Sequence, residues 1–339
     1  MSFSLFDITR LIGVDLGTSQ VRIWTDKDGL VIDEPSCIAI DKQSKRVVAV
    51  GGEALQMQGR VGKNIQVYFP IRKAKVNDLD LTRAMLRVYL QRVFKASIFS
   101  PDIMASIPAN ATPVMKKTIS SLFYSLGANR VYTIAQPLAA AIGAGVPIAD
   151  ASACFILQMG AGVVEGAVIS LGSLVVFQSM NKAGLTLDEQ IQYQTKQEKN
   201  LLISRKTAEE LKHNIASVLV DHKKEALIVG KDLRDKSPKE LTVDCELLYK
   251  PLSSYAQNYE NLLKRLLSKI QAELVVDVID KGMILSGGLA QIDGLVDYFI
   301  KVLGIPVSVV DKPERCVIEG IATVLEHLDE FKQSLGYER

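Results

Sequence analysis

An α/β fold in two lobes is what this sequence predicts, on three observations. Segments of strand character alternate with segments of helical period along the whole chain. A strand, a glycine turn and a returning strand occur twice: LIGVDLGTSQVRIW at 11–24 aligns with CFILQMGAGVVEGA at 154–167, setting Asp15 opposite Gln158 and Gly17 opposite Gly160. Finally, 339 residues are too many for one small module and too few for several ordinary domains.

The apolar run at 11–17 reads as a buried strand that breaks at Gly17-Thr18-Ser19-Gln20 and resumes at 21–24. Short strands follow at 37–40 and 46–50, then a Gln- and Gly-rich stretch up to Pro70. From Asp80 the period becomes helical, with Met85, Leu86, Tyr89, Leu90, Val93 and Phe94 on one face and Asp78 or Asp80 as caps. A strand at 103–107, a helix at 112–126 stopped by Gly127, a strand at 131–134 and a small-residue helix after Pro137 come next. The window 137–157 is apolar enough to resemble a membrane span, yet Asp150 and three turn residues, Gly143, Gly145 and Pro147, favour a buried helix, a turn and a strand. In the second half, strands at 154–158 and 163–170 flank Gly160-Ala161-Gly162, and polar helices are expected at 187–199 and 207–218. A hairpin pairs 227–229 with 240–243 across Asp235-Lys236-Ser237-Pro238. A long helix at 252–274, a strand at 282–285 ending in Ser286-Gly287-Gly288, a strand at 307–309 and a helix at 316–331 close the chain.

Composition removes several classes of function. With 48% hydrophobic and 23% charged residues the chain is globular, and a net charge of +2 makes no field that would single out nucleic acid as a partner. Cys37, Cys154, Cys245 and Cys316 form no CxxC pair, and His213, His222 and His327 form no HExxH, so disulfide-framework, zinc-knuckle and metalloprotease readings fall away. A reducing compartment fits, and the N-terminus lacks the pattern of a signal peptide. The mean hydropathy of +0.16 points to subunit contacts or a membrane-facing patch.

Three strand-ending glycine turns in one chain suit a phosphate clamp, because backbone without Cβ approaches an anion closely and consecutive N–H groups form a concave donor nest. A single such turn would only close a hairpin. Asp15, two residues before Gly17, is placed to hold Mg²⁺ through water; the alternative is an Asp capping the turn.

In order and spacing, VDLGTSQ (14–20), IQVYFPIRKAKVNDLDLT (65–82), QPLAAAIGAG (136–145), MGAGVVEGAVISLG (159–172), RKTAEELK (205–212) and LSGGLAQIDGL (285–295) resemble the MreB family of bacterial actins, over essentially the whole chain. The resemblance implies an actin-like fold, of the duplicated ribonuclease H-like kind, with ATP or ADP in a cleft. It divides the chain into a large subdomain (1–32, 75–144 and 312–339) and a small one (33–74) in lobe I. Lobe II then has a large subdomain (145–180 and 245–311) and a small one (181–244). It implies that Gly17, Thr18, Ser19 and Gln20 hold the β-phosphate and that Gly160, Ala161, Gly162 and Val163 face the γ-phosphate. Glu209, Glu210, Lys212 and Asn214 would line the nucleoside, and Gly287, Gly288, Leu289, Ala290 and Gln291 would close over adenosine and the α-phosphate. It further implies paired homopolymeric filaments, peripheral on the cytoplasmic face of the cell membrane, that organise cell-wall synthesis and rod shape.

The departures fall at the chemistry. Gln158 stands where the family has the second Mg²⁺-side Asp, and Val163 and Val164 replace hydroxyl residues, so metal-linked γ-phosphate binding should be weak. Gln136 replaces the Glu that polarises water; an amide orients a water but takes no proton, and general-base help is worth about 10²–10⁴-fold, so hydrolysis should be slow or undetectable. Membrane contact is expected from Ile98 and Phe99 in a loop and from Phe3 and Phe6 at the N-terminus, where Arg10 is the single cation. A small-molecule kinase or a chaperone ATPase shares the phosphate hairpins, but the first needs a carboxylate where Gln136 and Gln158 stand and the second a further peptide-binding region. A non-polymerising regulator of a conventional filament is the remaining alternative.

Overall fold

The computed structural model describes residues 11–93, 100–219, 224–331 and 336–337. The chain divides into two units, Met1–Ala149 with Arg315–Arg339, and Asp150–Glu314.

In the first unit, β1 (Leu11–Leu16) and β2 (Gln20–Thr25) form the expected hairpin, and β3 (Gly29–Pro35) extends it as a meander. The chain then makes a small three-stranded sheet from β4 (Ile38–Asp41), β5 (Val47–Val50) and, after α1 (Gly51–Met57), β6 (Ile65–Tyr68). A tight hairpin follows, β7 (Ile71–Arg72) with β8 (Lys75–Val76). Helix α2 (Leu79–Val93) starts where Asp78 Oδ1 accepts the Leu81 amide at 2.9 Å, while Asp80 pairs with Arg83 instead. It buries Met85, Leu86, Tyr89 and Leu90, each worth about 1.5–3 kcal/mol of apolar burial. After β9 (Asp102–Ile107), α3 (Pro113–Tyr124) is capped by Thr112 and stopped at Gly127, which has φ +97°. Then come β10 (Arg130–Ala135) and α4 (Gln136–Gly143).

The second unit contains β11 (Cys154–Met159), β12 (Val164–Ser170) and β13 (Ser173–Met180), then α5 (Gly184–Lys199), β14 (Leu201–Leu202) and α6 (Arg205–Asn214). A hairpin of β15 (Glu225–Asp232) and β16 (Pro238–Asp244) pairs with β14, and α7 (Glu246–Leu267) and α8 (Ala272–Lys281) follow. Next are β17 (Met283–Ser286), a 3₁₀ turn at Gly288–Gln291, α9 (Leu295–Leu303) and β18 (Val307–Val309). The chain returns to the first unit with α10 (Cys316–Glu326), α11 (Leu328–Phe331) and β19 (Gly336–Tyr337), which pairs with β10.

The duplication is visible in both main sheets. In the first, β10, β9 and β1 run parallel and β1-β2-β3 is an antiparallel meander; in the second, β18, β17 and β11 run parallel and β11-β12-β13 is the meander. The hairpin registers also match: Asp15 lies opposite Arg22 and Leu16 opposite Val21, as Gln158 lies opposite Glu165 and Met159 opposite Val164. Strands β11 and β12 are buried along their whole length, the pattern of a sheet covered on both faces.

Several boundaries differ from the sequence reading, each for a tertiary or side-chain reason. The helix expected at 207–218 ends at Asn214, because Ser217 bridges to Asp293 and the Val218 amide bonds the Asp293 carbonyl at 3.0 Å. The helix expected at 252–274 begins at Glu246, before the buried Pro251. It ends at Leu267, where the Ser268 hydroxyl bonds back to the Arg265 carbonyl at 2.9 Å, and α8 starts afresh. The closing helix breaks at His327, and α1, β3, β6, β7, β8 and α9 carry too little periodicity to stand out from the surrounding loops.

Candidate functional site

The turn after β1 is held from outside by its carbonyls. Ser36 Oγ donates to the Gly17 carbonyl at 2.6 Å and the Ser36 amide to the Ser19 carbonyl at 2.8 Å. The Thr18 hydroxyl accepts the Ala74 amide at 2.8 Å, tying this turn to the β7–β8 hairpin, whose tip residues Lys73 and Ala74 both have positive φ. With the carbonyls turned away, the Thr18 and Ser19 amides meet no acceptor among the described residues. Gly17 is required by space: a Cβ there would lie 2.6 Å from the Gln20 carbonyl oxygen.

The turn after β11 repeats this arrangement with different braces. The first amides of α5 hold it, Gly184 N–H to the Gly160 carbonyl at 3.2 Å and Leu185 N–H to the Ala161 carbonyl at 2.8 Å. Again the Ala161 and Gly162 amides meet no acceptor among the described residues. Gly184 allows the close approach, since a Cβ on it would sit 3.3 Å from Ala161 Cα and 3.5 Å from Lys212 Nζ. Val163 is buried beside the turn.

Lys212 is placed behind that turn and not on the exposed side of α6. Its ammonium is 2.6 Å from Asp188 Oδ1, both side chains being buried, and 3.5 Å from the Gly184 carbonyl. Asp188 Oδ2 has no partner, and burial, opposed by Lys212, pushes the Asp188 carboxyl up to about 6. Helical spacing separates the rest of the set: Glu209 is half-buried, whereas Glu210, paired with Lys206 at 3.7 Å, and Asn214 face solvent.

The third glycine turn lies against the end of β11. Gly287 has φ +85°, and a Cβ there would meet Met159 carbonyl oxygen at 2.4 Å. Its amide bonds the Pro313 carbonyl at 2.7 Å, Gly288, Leu289, Ala290 and Gln291 form the 3₁₀ turn, and Gln291 Nε2 donates to Glu314 at 3.1 Å. In the other unit Gln136 is buried in the first turn of α4, immediately after β10.

The two residues equated by the duplication have different surroundings. Asp15 is buried; its Oδ1 accepts from Ser106 Oγ at 2.7 Å and its Oδ2 faces Arg22 Nη1 at 3.6 Å. Burial raises its carboxyl above the usual range, against the pull of Arg22 and of the Ser106 hydrogen bond. It does not cap the turn. Gln158 is buried too, its Oε1 without a partner. Sequence reasoning missed Arg22, Asp188 and Ser106. Arg22 was legible, as a cation in the strand QVRIWT directly across the hairpin from Asp15; Asp188 and Ser106 are brought in only by the tertiary fold. Phe3, Phe6, Ile98 and Phe99 lie outside the described residues.

Two sheets with one topology, each ending a central strand in an amide-presenting glycine turn, define an actin-like protein. The structure superposes on MreB5 of Spiroplasma citri bound to AMPPNP with a TM-score of 0.92, at 26% identity over 96% of this chain and 99% of that one. The MamK double helical filament shares the fold alone, with a TM-score of 0.80 at 18% identity. The family model for MreB/Mbl protein matches residues 9–333. Cell shape-determining protein Mbl of Bacillus subtilis is 35% identical over 324 residues, 95% of this chain and 97% of that protein. Cell shape-determining protein MreB of Escherichia coli is 32% identical over 94% of each. The chain belongs to the MreB/Mbl family of actin-like, cell shape-determining proteins.

Proposed function

We propose that this chain binds ATP and ADP and polymerises into paired filaments that lie on the cytoplasmic face of the cell membrane and organise cell-wall synthesis. The observation that carries the nucleotide reading is the repeated turn: in both hairpins the carbonyls are held back by neighbouring segments while amides at Thr18, Ser19, Ala161 and Gly162 are left to a ligand. Backbone N–H groups so arranged form an anion nest. The solved relatives with AMPPNP and with ADP, at TM-scores of 0.92 and 0.91, support the same reading. Gly287, Gly288, Leu289, Ala290 and Gln291 take the adenosine side in this proposal, with Glu209, Glu210 and Asn214, while Lys212 acts from behind the turn.

Hydrolysis is slow on this reading, because Gln136 orients water without accepting its proton. A Gln136→Glu variant should release phosphate from ATP about 10²-fold faster than the native chain, and vigorous turnover by the native chain would refute the assignment. Among the described residues no helix is long and apolar enough to cross a membrane. Attachment is assigned, from the sequence, to Ile98 and Phe99 and to Phe3 and Phe6. Electron micrographs of the purified chain with ATP and anionic liposomes test the whole reading. Filaments on the lipid are expected; single particles under every condition would leave the non-polymerising regulator in its place.

A further inference from the structure

Neither Asp15 nor Gln158, the two residues that the family resemblance assigns to divalent-cation binding, fits that task by its own surroundings. Hard cations take accessible oxygen ligands, and magnesium keeps several waters that nearby carboxylates commonly hold. Both oxygens of Asp15 are already engaged, by Ser106 and Arg22. Arg22 is paired in turn with Asp33, its Nε 3.0 Å from Asp33 Oδ1 without a hydrogen bond, and Arg315 Nη2 lies 3.3 Å from Asp33 Oδ2. Asp15, Arg22, Asp33 and Arg315 thus make a row of alternating charge in one unit, whose members cancel. In the other unit Gln158 is neutral, and its Oε1 is closed off from solvent, so it presents no acceptor to a cation's water. Among the described residues no three acidic, His or Cys side chains cluster closely enough to hold a metal ion.

We infer that this chain binds its nucleotide without a divalent cation, Arg22 supplying at Asp15 the positive charge that a cation would otherwise bring. The inference rests on the nucleotide-binding reading above and deepens it: the ligand is a nucleoside polyphosphate, accepted as the free anion as readily as its magnesium complex. Its phosphates meet backbone amides of the glycine turns, and such donors keep their strength when magnesium is removed. A buried carboxylate neutralised by a fixed guanidinium gains nothing from a hydrated cation, which would have to displace that partner or share it.

Calorimetric titration of the full chain with ATP, in excess magnesium chloride and in excess EDTA, tests this. Dissociation constants agreeing within about threefold are expected, and weakening by more than about tenfold in EDTA overturns the inference while leaving nucleotide binding intact. Absence of binding heat in both buffers overturns the nucleotide reading itself. A second measurement uses Mn²⁺ alone, followed by its electron paramagnetic resonance signal. The metal should stay free in the presence of the native chain, and stoichiometric uptake would refute the proposal. An Arg22→Leu variant, shown to be folded by circular dichroism, should make ATP affinity depend on magnesium by more than about tenfold. If that folded variant behaves as the native chain does, the role given to Arg22 is wrong; if it does not fold, the two native measurements decide.

Discussion

Gly17 and Gly160 hold equivalent places in the two hairpins, but the room beside them differs. A Cβ on Gly17 would meet the Gln20 carbonyl at 2.6 Å, whereas on Gly160 the nearest atom, the Val163 carbonyl, is 3.0 Å away. Backbone must move in the first case and only adjust slightly in the second, a difference of about 1–3 kcal/mol. Gly17→Ala should therefore weaken ATP binding about tenfold or more in a calorimetric titration, and Gly160→Ala much less. Asp188 offers a second test at this scale. Its folded value near 6 exceeds the ordinary 3.8, so ionising it costs more in the folded chain than in the unfolded one. The stability concerned is fully present below the unfolded value and is lost as pH rises toward 6. Asp188→Asn removes this dependence. Its melting temperature relative to the native chain should climb between about pH 4 and pH 6.5, by an amount reflecting roughly 2–3 kcal/mol. A relative melting temperature that falls over that range would mean that the Lys212 ion pair outweighs burial.

At the scale of elements, α4 and α10 pack almost backbone to backbone. A Cβ on Gly143 would lie 2.0 Å from the Cys316 carbonyl oxygen, and one on Gly320 would lie 1.8 Å from the Ala139 carbonyl oxygen. Neither obstacle is a side chain that could rotate aside, so the helices themselves must separate. Gly143→Ala and Gly320→Ala should each cost about 3 kcal/mol or more and lower the melting temperature by several degrees. Thr112→Ala is the contrasting control. It removes the cap that accepts the Met115 amide at 3.3 Å at the exposed start of α3, and should cost only about 1 kcal/mol. The sequence showed α4 as a small-residue helix but carried no sign of its partner, because the contact joins residues far apart in the chain.

At the scale of the molecule, each unit has its own core. One is built around Ile12, Val14, Met85, Tyr89 and Phe123, the other around Phe155, Leu157, Tyr259, Leu263 and Phe299. Two cores of this kind need not melt together. Scanning calorimetry without nucleotide should give a van't Hoff enthalpy smaller than the calorimetric one, and equality would show that the chain unfolds as one cooperative body. Most of the chain legible as strand lies in these cores, since β1, β9, β11 and β12 are mostly apolar and buried along nearly their whole length. The elements that stayed hidden, such as β3, β7, β8 and α9, are short, amphipathic or irregular.

The sequence by itself determined the α/β class, the duplication that equates Asp15 with Gln158, the three glycine turns and the family, because strand periodicity, glycine spacing and motif order are local properties of the chain. Tertiary structure alone decided what those residues can do. Ser106 is brought from β9 to Asp15, and Arg315 comes from the far end of the chain to hold Asp33 and, through it, Arg22. The amides of α5 hold the Gly160 and Ala161 carbonyls, and Asp188 draws Lys212 inward. Each of these sets the charge or the direction of a group through contacts distant in sequence, and burial then fixes how strongly that group acts.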